Sequence, residues 1–264
     1  MAVASIHQRD TSAIATLKSS GKSSPKDLDG AKYGSYAARY EGRLVQEMIK
    51  NAGGTGDYQE VVKPMLDLWP LLLRGEIDAT WIFEAHEGIL AQRAGVELNV
   101  FKMADYGVPY GAAPVLTCLA SVAAGNPAAQ GPSSPTTLRA LMRAIAQGYQ
   151  YAADHPTEAA ALLVAEAAKD GYHGLDVEVA QDSQKVLSRL LRDPSGKWGT
   201  MAPGLFGDFV NFLSKKGMLT TKMQSREGGE GVTSLDGLRG GDVGEEIALE
   251  DVGVETLSTN AYLP

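Results

Sequence analysis

The residues that could do chemistry in this chain gather at two kinds of place. Glu84 is the first charged residue after the apolar run of Asp78–Phe83 (DATWIF). An acid that ends an apolar strand and opens the next helix stands, in open α/β sheets, at the carboxyl edge where ligands bind. Downstream, Asp105, Tyr106 and Tyr110 share seven residues with Gly107 and Gly111. Upstream, Ser35 and Tyr36 end a short strand, Arg39, Tyr40 and Glu41 lie in the turn that leads to the next helix, and Trp81 lies in the strand before Glu84. Aromatic walls, a few polar anchors and backbone free to approach closely are the composition of a small-molecule cleft.

Those residues make a ligand-binding lobe, and catalysis does not follow from them. The sequence holds no Gly-x-Ser-x-Gly elbow and no His-Glu-x-x-His, and its four histidines (7, 86, 155 and 173) are scattered. The single cysteine, Cys118, sits in the apolar stretch VLTCLAS and reads as a buried, inert thiol. No catalytic residue, metal ligand or cofactor is therefore expected. A net charge of −8 without a basic run argues against nucleic acid. No stretch approaches the roughly 18 apolar residues of a membrane-spanning helix. The opening MAVASIHQRD is too short and too soon polar for a signal peptide, and leaves the compartment open. It reads as the middle of a strand, so that a preceding segment is expected.

The elements that must position these residues follow from periodicity. Residues 2–6 and 13–17 are apolar strand-like pieces separated by a polar turn. Strands are expected at Lys32–Tyr36, Tyr58–Val62, Asp78–Phe83 and Leu98–Met103. Helices are expected at Arg43–Asn51, where Leu44, Val45, Met48 and Ile49 fall at helical spacing, and at Met65–Arg74 and Ala85–Gly95. Alternating strands and helices predict a parallel unit. The turn before the Arg43 helix has the makings of an anion site, because unpaired N–H groups and the helix dipole point at it. Arg39 either adds a charged fork there or stands in solvent. The second half is helical: Leu138–Asp154, a segment opening at Pro156, Leu175–Leu191 and Gly204–Lys216. Residues 225–255 are glycine-rich, acidic and without aromatics, the composition of a mobile insertion.

Four stretches, VASIHQRDTSAIATLKSSG, KDLDGAKYGSYAARYEGRLVQEMIKNAGG, LLLRGEIDATWIFEAHEG and ADYGVPYGAAPVL, resemble the substrate-binding proteins of the sulfonate and thiamine-pyrimidine type, which include the fungal thiamine pyrimidine synthase. The resemblance runs from residue 1 to about 224 and returns at TNAYLP. It implies an α/β type 2 periplasmic-binding-protein-like fold, with two lobes joined by crossing strands and ligand between them. Residues 1–24 would be the first crossing strand and linker, 25–108 the complete ligand-binding lobe, and 109–120 the second crossing strand. Residues 121–224 would be a helical part packing on an incomplete first lobe, and 225–264 a flexible insertion and tail. Residues 25–108 would be self-sufficient, and the later helices would need a second copy or a partner chain to cover them.

The resemblance also separates binder from enzyme. The synthase holds a phosphate with a glycine-glutamate-phenylalanine-glycine turn, where this chain reads Ala38-Arg39-Tyr40-Glu41. It carries an iron-associated cysteine cluster where this chain reads Pro109-Tyr110-Gly111-Ala112-Ala113. The acid Glu84 is retained. The implied role is binding of a small heterocyclic ligand, an aminopyrimidine, in thiamine biosynthesis or salvage, with Glu84 accepting from its amino group. The alternatives are a synthase homologue and an inactive fragment.

Overall fold

The computed structural model describes residues 1–63, 68–111, 114–123, 134–225 and 228–264. In chain order its strands are β1 (Ala2–Ser5), β2 (Ser12–Leu17), β3 (Lys32–Ser35), β4 (Gln59–Val62), β5 (Ala79–Phe83), β6 (Leu98–Phe101), β7 (Val115–Thr117), β8 (Met223–Gln224) and β9 (Val232–Thr233). Its helices are α1 (Glu41–Asn51), α2 (Trp69–Leu73), α3 (Glu87–Arg93), α4 (Ala120–Ala123), α5 (Pro135–Asp154), α6 (Pro156–Lys169), α7 (Val177–Ser188), α8 (Gly207–Lys215) and α9 (Leu235–Arg239). They divide between two units. One comprises Met1–Asp10, Gly111–Phe206 and Gly253–Pro264; the other comprises Thr11–Tyr110 and Gly207–Val252.

The second unit is built on a five-stranded sheet in the order β4-β3-β5-β2-β6. β3 pairs parallel with both β4 and β5, the arrangement that alternating strands and helices predict. β2 runs antiparallel between β5 and β6, making the sheet mixed. Ala13, Ile14, Ala15 and Thr16 are buried in that interior strand. The two apolar runs of the N-terminus therefore part company: β2 enters this sheet, whereas β1 pairs with β7 in the other unit. α1 turns Leu44, Val45, Met48 and Ile49 inward and stops at Gly53, whose φ of 93° is open to glycine. α2 is seen from Trp69; the expected helix start at residues 65–67 lies outside the described residues.

Residues 207–252, expected partly within a helical body and partly as a mobile insertion, belong to this same unit. β8 and β9 pair in parallel, and Ser234 caps α9 by accepting from the Gly237 N–H at 3.0 Å. Leu235 is 1% exposed and packs so closely over α1 that a Cβ at Gly42 would lie 2.7 Å from its methyls. The Arg239 guanidinium lies over the Tyr58 ring at 4.7 Å. Composition misleads here because the glycines serve turns: Gly231, at φ 74°, would carry a Cβ 2.8 Å from the Thr221 carbonyl oxygen.

In the first unit β1 and β7 pair antiparallel. Val3 and Ala4 on β1 join Leu138, Met142 and Ala146 on α5, with Leu191, Trp198 and Tyr262, in one core. Cys118, expected to be buried, packs against this core while only half-buried. Tyr149 stacks on Trp198 at 4.7 Å and 9°. The α5 face expected to want cover is thus lined at Leu138, Ile145 and Tyr149 by its own unit, while Leu141 on α5 and Leu162 and Leu163 on α6 face outward. α5 begins at Pro135 behind the Ser134 cap; the loop expected before it lies largely outside the described residues. No helix among the described residues is long and apolar enough to cross a membrane.

Candidate functional site

The carboxyl ends of β3 and β5 open on a cavity of about 290 Å³. Its lining is Tyr36, Ala38, Arg39, Tyr40, Glu41 and Leu44 from the β3–α1 connection, Trp81 and Phe83 from β5, and Tyr110. The aromatic rings meet edge to face. Trp81 and Tyr110 are 5.2 Å apart at 81°, and Tyr110 meets Phe209 of α8 at 5.6 Å and 83°. Phe209 also meets Tyr40, at 6.1 Å and 80°. These are the offsets that ring quadrupoles favour, and they hold the walls without closing the space. Phe83, 47% exposed, presents an apolar surface that its own unit leaves uncovered.

One carboxylate organises the floor. Glu41, in the first turn of α1, is 3% exposed. Its Oε1 accepts from the Tyr33 hydroxyl at 2.8 Å and the Tyr36 N–H at 3.2 Å. Its Oε2 accepts from the N–H groups of Tyr36 and Ala38, both at 3.1 Å. Between them Ala37 adopts φ 53°, unusual for a residue with a Cβ, and donates its own N–H to Ser35 Oγ at 2.9 Å. A left-handed residue flanked by N–H groups that converge on one anion is a backbone nest. Burial pushes the Glu41 carboxyl above its usual range, against the pull of these donors. The N–H groups expected to await an external anion are thus taken by a side chain of the same helix.

The structure brings together Tyr36, Arg39, Tyr40, Glu41, Trp81 and Tyr110, and leaves Ser35 buried outside the lining, where it accepts the Ala37 N–H. Arg39 lies over the ring of its neighbour Tyr40, 5.2 Å from the centroid, at the exposed edge of the cavity. Glu84, Asp105 and Tyr106 are not in the lining. Glu84 pairs with Lys102 at 3.0 Å, and Tyr106 packs edge-on against Phe101 with its carbonyl accepting from Asn51 at 2.7 Å. Asp105 is exposed.

The helix after β5 opens later than expected, at Glu87. Glu87 is buried and accepts the Phe83 N–H at 2.8 Å. Burial would raise its pKa, but the bonds from His86 and the Phe83 N–H outweigh that and hold it below the ordinary value. Glu87 therefore fixes the turn, and Glu84 is left to its ion pair with Lys102. Sequence patterns do not single out Phe83 and Phe209 as site residues; a phenylalanine closing a strand is the one signal available for the former.

A family profile described as NMT1/THI5 like matches residues 1–159, more than half of the chain. The chain belongs to the NMT1/THI5 like family. Among solved structures, this family member resembles a protein from Bordetella bronchiseptica RB50, with 17% identity and a TM-score of 0.60 over 99% of this chain and 72% of that one. It also resembles the alkanesulfonate-binding protein SsuA from Xanthomonas axonopodis pv. citri, bound to MOPS: 12% identity, TM-score 0.56, 82% of this chain and 69% of that one. A third is described as a putative sulfonate ABC transporter, periplasmic sulfonate-binding protein SsuA, from Methylobacillus flagellatus KT: 15% identity, TM-score 0.52, 98% of this chain and 71% of that one. No curated protein matches. At these identities the likeness shows the fold, which is the expected α/β, periplasmic-binding-protein-like one.

Proposed function

We propose that this NMT1/THI5 like protein is a substrate-binding protein that captures a flat, amino-bearing heteroaromatic ring, an aminopyrimidine, at the cavity between the ends of β3 and β5. The observation that carries this reading is the lining itself: five aromatic residues around about 290 Å³, above a buried carboxylate. A planar ring fills such a space with edge and face contacts worth about 0.5–1.5 kcal/mol each beyond burial. The negative charge of Glu41 favours a ligand that turns an amino group to the floor, and the rim cation Arg39 suits a ring nitrogen or carbonyl lone pair. In this reading Glu41, rather than Glu84 outside the lining, supplies the negative potential.

Alkanesulfonates, the ligand class named for one protein of similar fold, are the natural control. A sulfonate in this cavity would need Arg39 to outweigh the adjacent Glu41. Isothermal titration with 4-aminopyrimidines, with alkanesulfonates in parallel, tests the proposal. Saturable heat with the former and none with the latter is expected. No heat with any amino-bearing heteroaromatic ring would sink it.

A further inference from the structure

We infer that Glu41 is a specificity determinant: its carboxylate occupies the anion position of the β3–α1 nest and excludes ligands that carry a phosphate or other anionic group at that end. This deepens the proposed ligand class and rests on that reading. An aminopyrimidine alcohol fits; its phosphate ester does not.

The argument starts from the backbone. Nests bind anions because successive N–H groups point into one concavity, and a helix N-terminus adds a favourable dipole. Here both devices coincide: Ala37 at φ 53° turns the Tyr36 and Ala38 N–H groups together, and α1, 11 residues long, starts just beyond. A nest in that position is ready for a phosphate. Glu41 Oε2 instead accepts from both N–H groups at 3.1 Å, while Oε1 takes the Tyr33 hydroxyl at 2.8 Å. The same side chain lines the cavity, so an arriving anion would meet a fixed negative charge where the donors should be. Repulsion there is barely screened, because Glu41 is 3% exposed. Arg39 is on the exposed edge, over Tyr40, and offers no compensation on the floor.

The test measures three ligands on two proteins. An aminopyrimidine alcohol, its phosphate ester and inorganic phosphate are titrated calorimetrically into the wild-type chain and into Glu41→Gln, which keeps the volume and removes the charge. The wild type is expected to bind the alcohol at least tenfold more tightly than the ester and to give no heat with phosphate. Glu41→Gln is expected to narrow that ratio severalfold and to gain phosphate binding. Equal wild-type affinity for alcohol and ester, or phosphate binding by the wild type, overturns the inference. If neither ring ligand binds, the proposed ligand class fails separately, and the phosphate arm still decides what Glu41 does. Should Glu41→Gln not fold, the wild-type titrations decide between the two outcomes by themselves.

Discussion

The Tyr33 hydroxyl donates to Glu41 Oε1 at 2.8 Å beneath the aromatic cavity, joining the middle of β3 to the first turn of α1. Tyr33 is itself buried, edge-on to Tyr58 at 5.4 Å, and burial together with the Glu41 charge pushes its pKa well above the usual range. The pair fixes the one carboxylate on which the β3–α1 turn is wound.

Tyr33→Phe should therefore destabilise the chain by about 1–3 kcal/mol, the range for leaving a buried charged acceptor short of a donor. The effect should depend on pH in a definite direction. Glu41 has a folded pKa raised above its ordinary 4.5, so the folded chain holds that proton more tightly than the unfolded one. Its contribution to stability is greatest at low pH and declines as pH rises from 4.5 through the folded pKa. Losing the Tyr33 donor raises that pKa further and deepens the decline. Urea unfolding of both proteins at about pH 4.5 and about pH 7 checks this; an equal loss at both values would contradict it.

Phe83 offers a cleaner probe of binding. It is half-exposed, so Phe83→Ala should shift stability little, by about 0.5 kcal/mol or less. Affinity for an aminopyrimidine should nonetheless fall about fivefold to tenfold, because a cavity wall is lost. Calorimetry and denaturation on the same preparation separate the two quantities.

Leu235 tests the glycine-rich stretch. Docked as it is over Gly42, truncation to alanine should cost about 2–5 kcal/mol, as for a buried leucine in any core. A mobile insertion would lose nothing measurable. Chemical denaturation of Leu235→Ala decides between them.

Asp193 sets an acid limit on a turn in the other unit. Hydrogen bonds from the Ser195 hydroxyl, at 2.7 Å, and from the Lys197 N–H, at 3.0 Å, hold its pKa down at about 2. Against an unfolded value of 3.8, its contribution is fully present above pH 3.8 and is lost as pH falls towards 2. Asp193→Asn should flatten the pH dependence of the turn amides Ser195 and Lys197 in that window, read by NMR. An unchanged titration of those amides would assign the transition to another group.

Much of this protein was legible in its sequence because the relevant physics is local. Apolar residues at 44, 45, 48 and 49 specify one buried helix face, and alternating strand and helix patterns specify parallel β3, β4 and β5. The crowding of Tyr36, Tyr40, Trp81 and Tyr110 near strand ends is enough to announce an aromatic cavity. Tertiary structure alone decided what lies between those rings. Phe209 reaches Tyr40 and Tyr110 from a helix far along the chain, and no periodicity reports such a contact. The antiparallel β2 is equally silent, since apolar residues buried on both faces read the same in either direction. The choice between neighbouring acids was also beyond composition: Glu84 and Glu87 differ only in which one the turn after β5 points at the Phe83 N–H. Glu41 is the sharpest case. Its sequence position suggests a helix start, but its role follows from the left-handed φ of Ala37, a conformation that an alanine does not advertise.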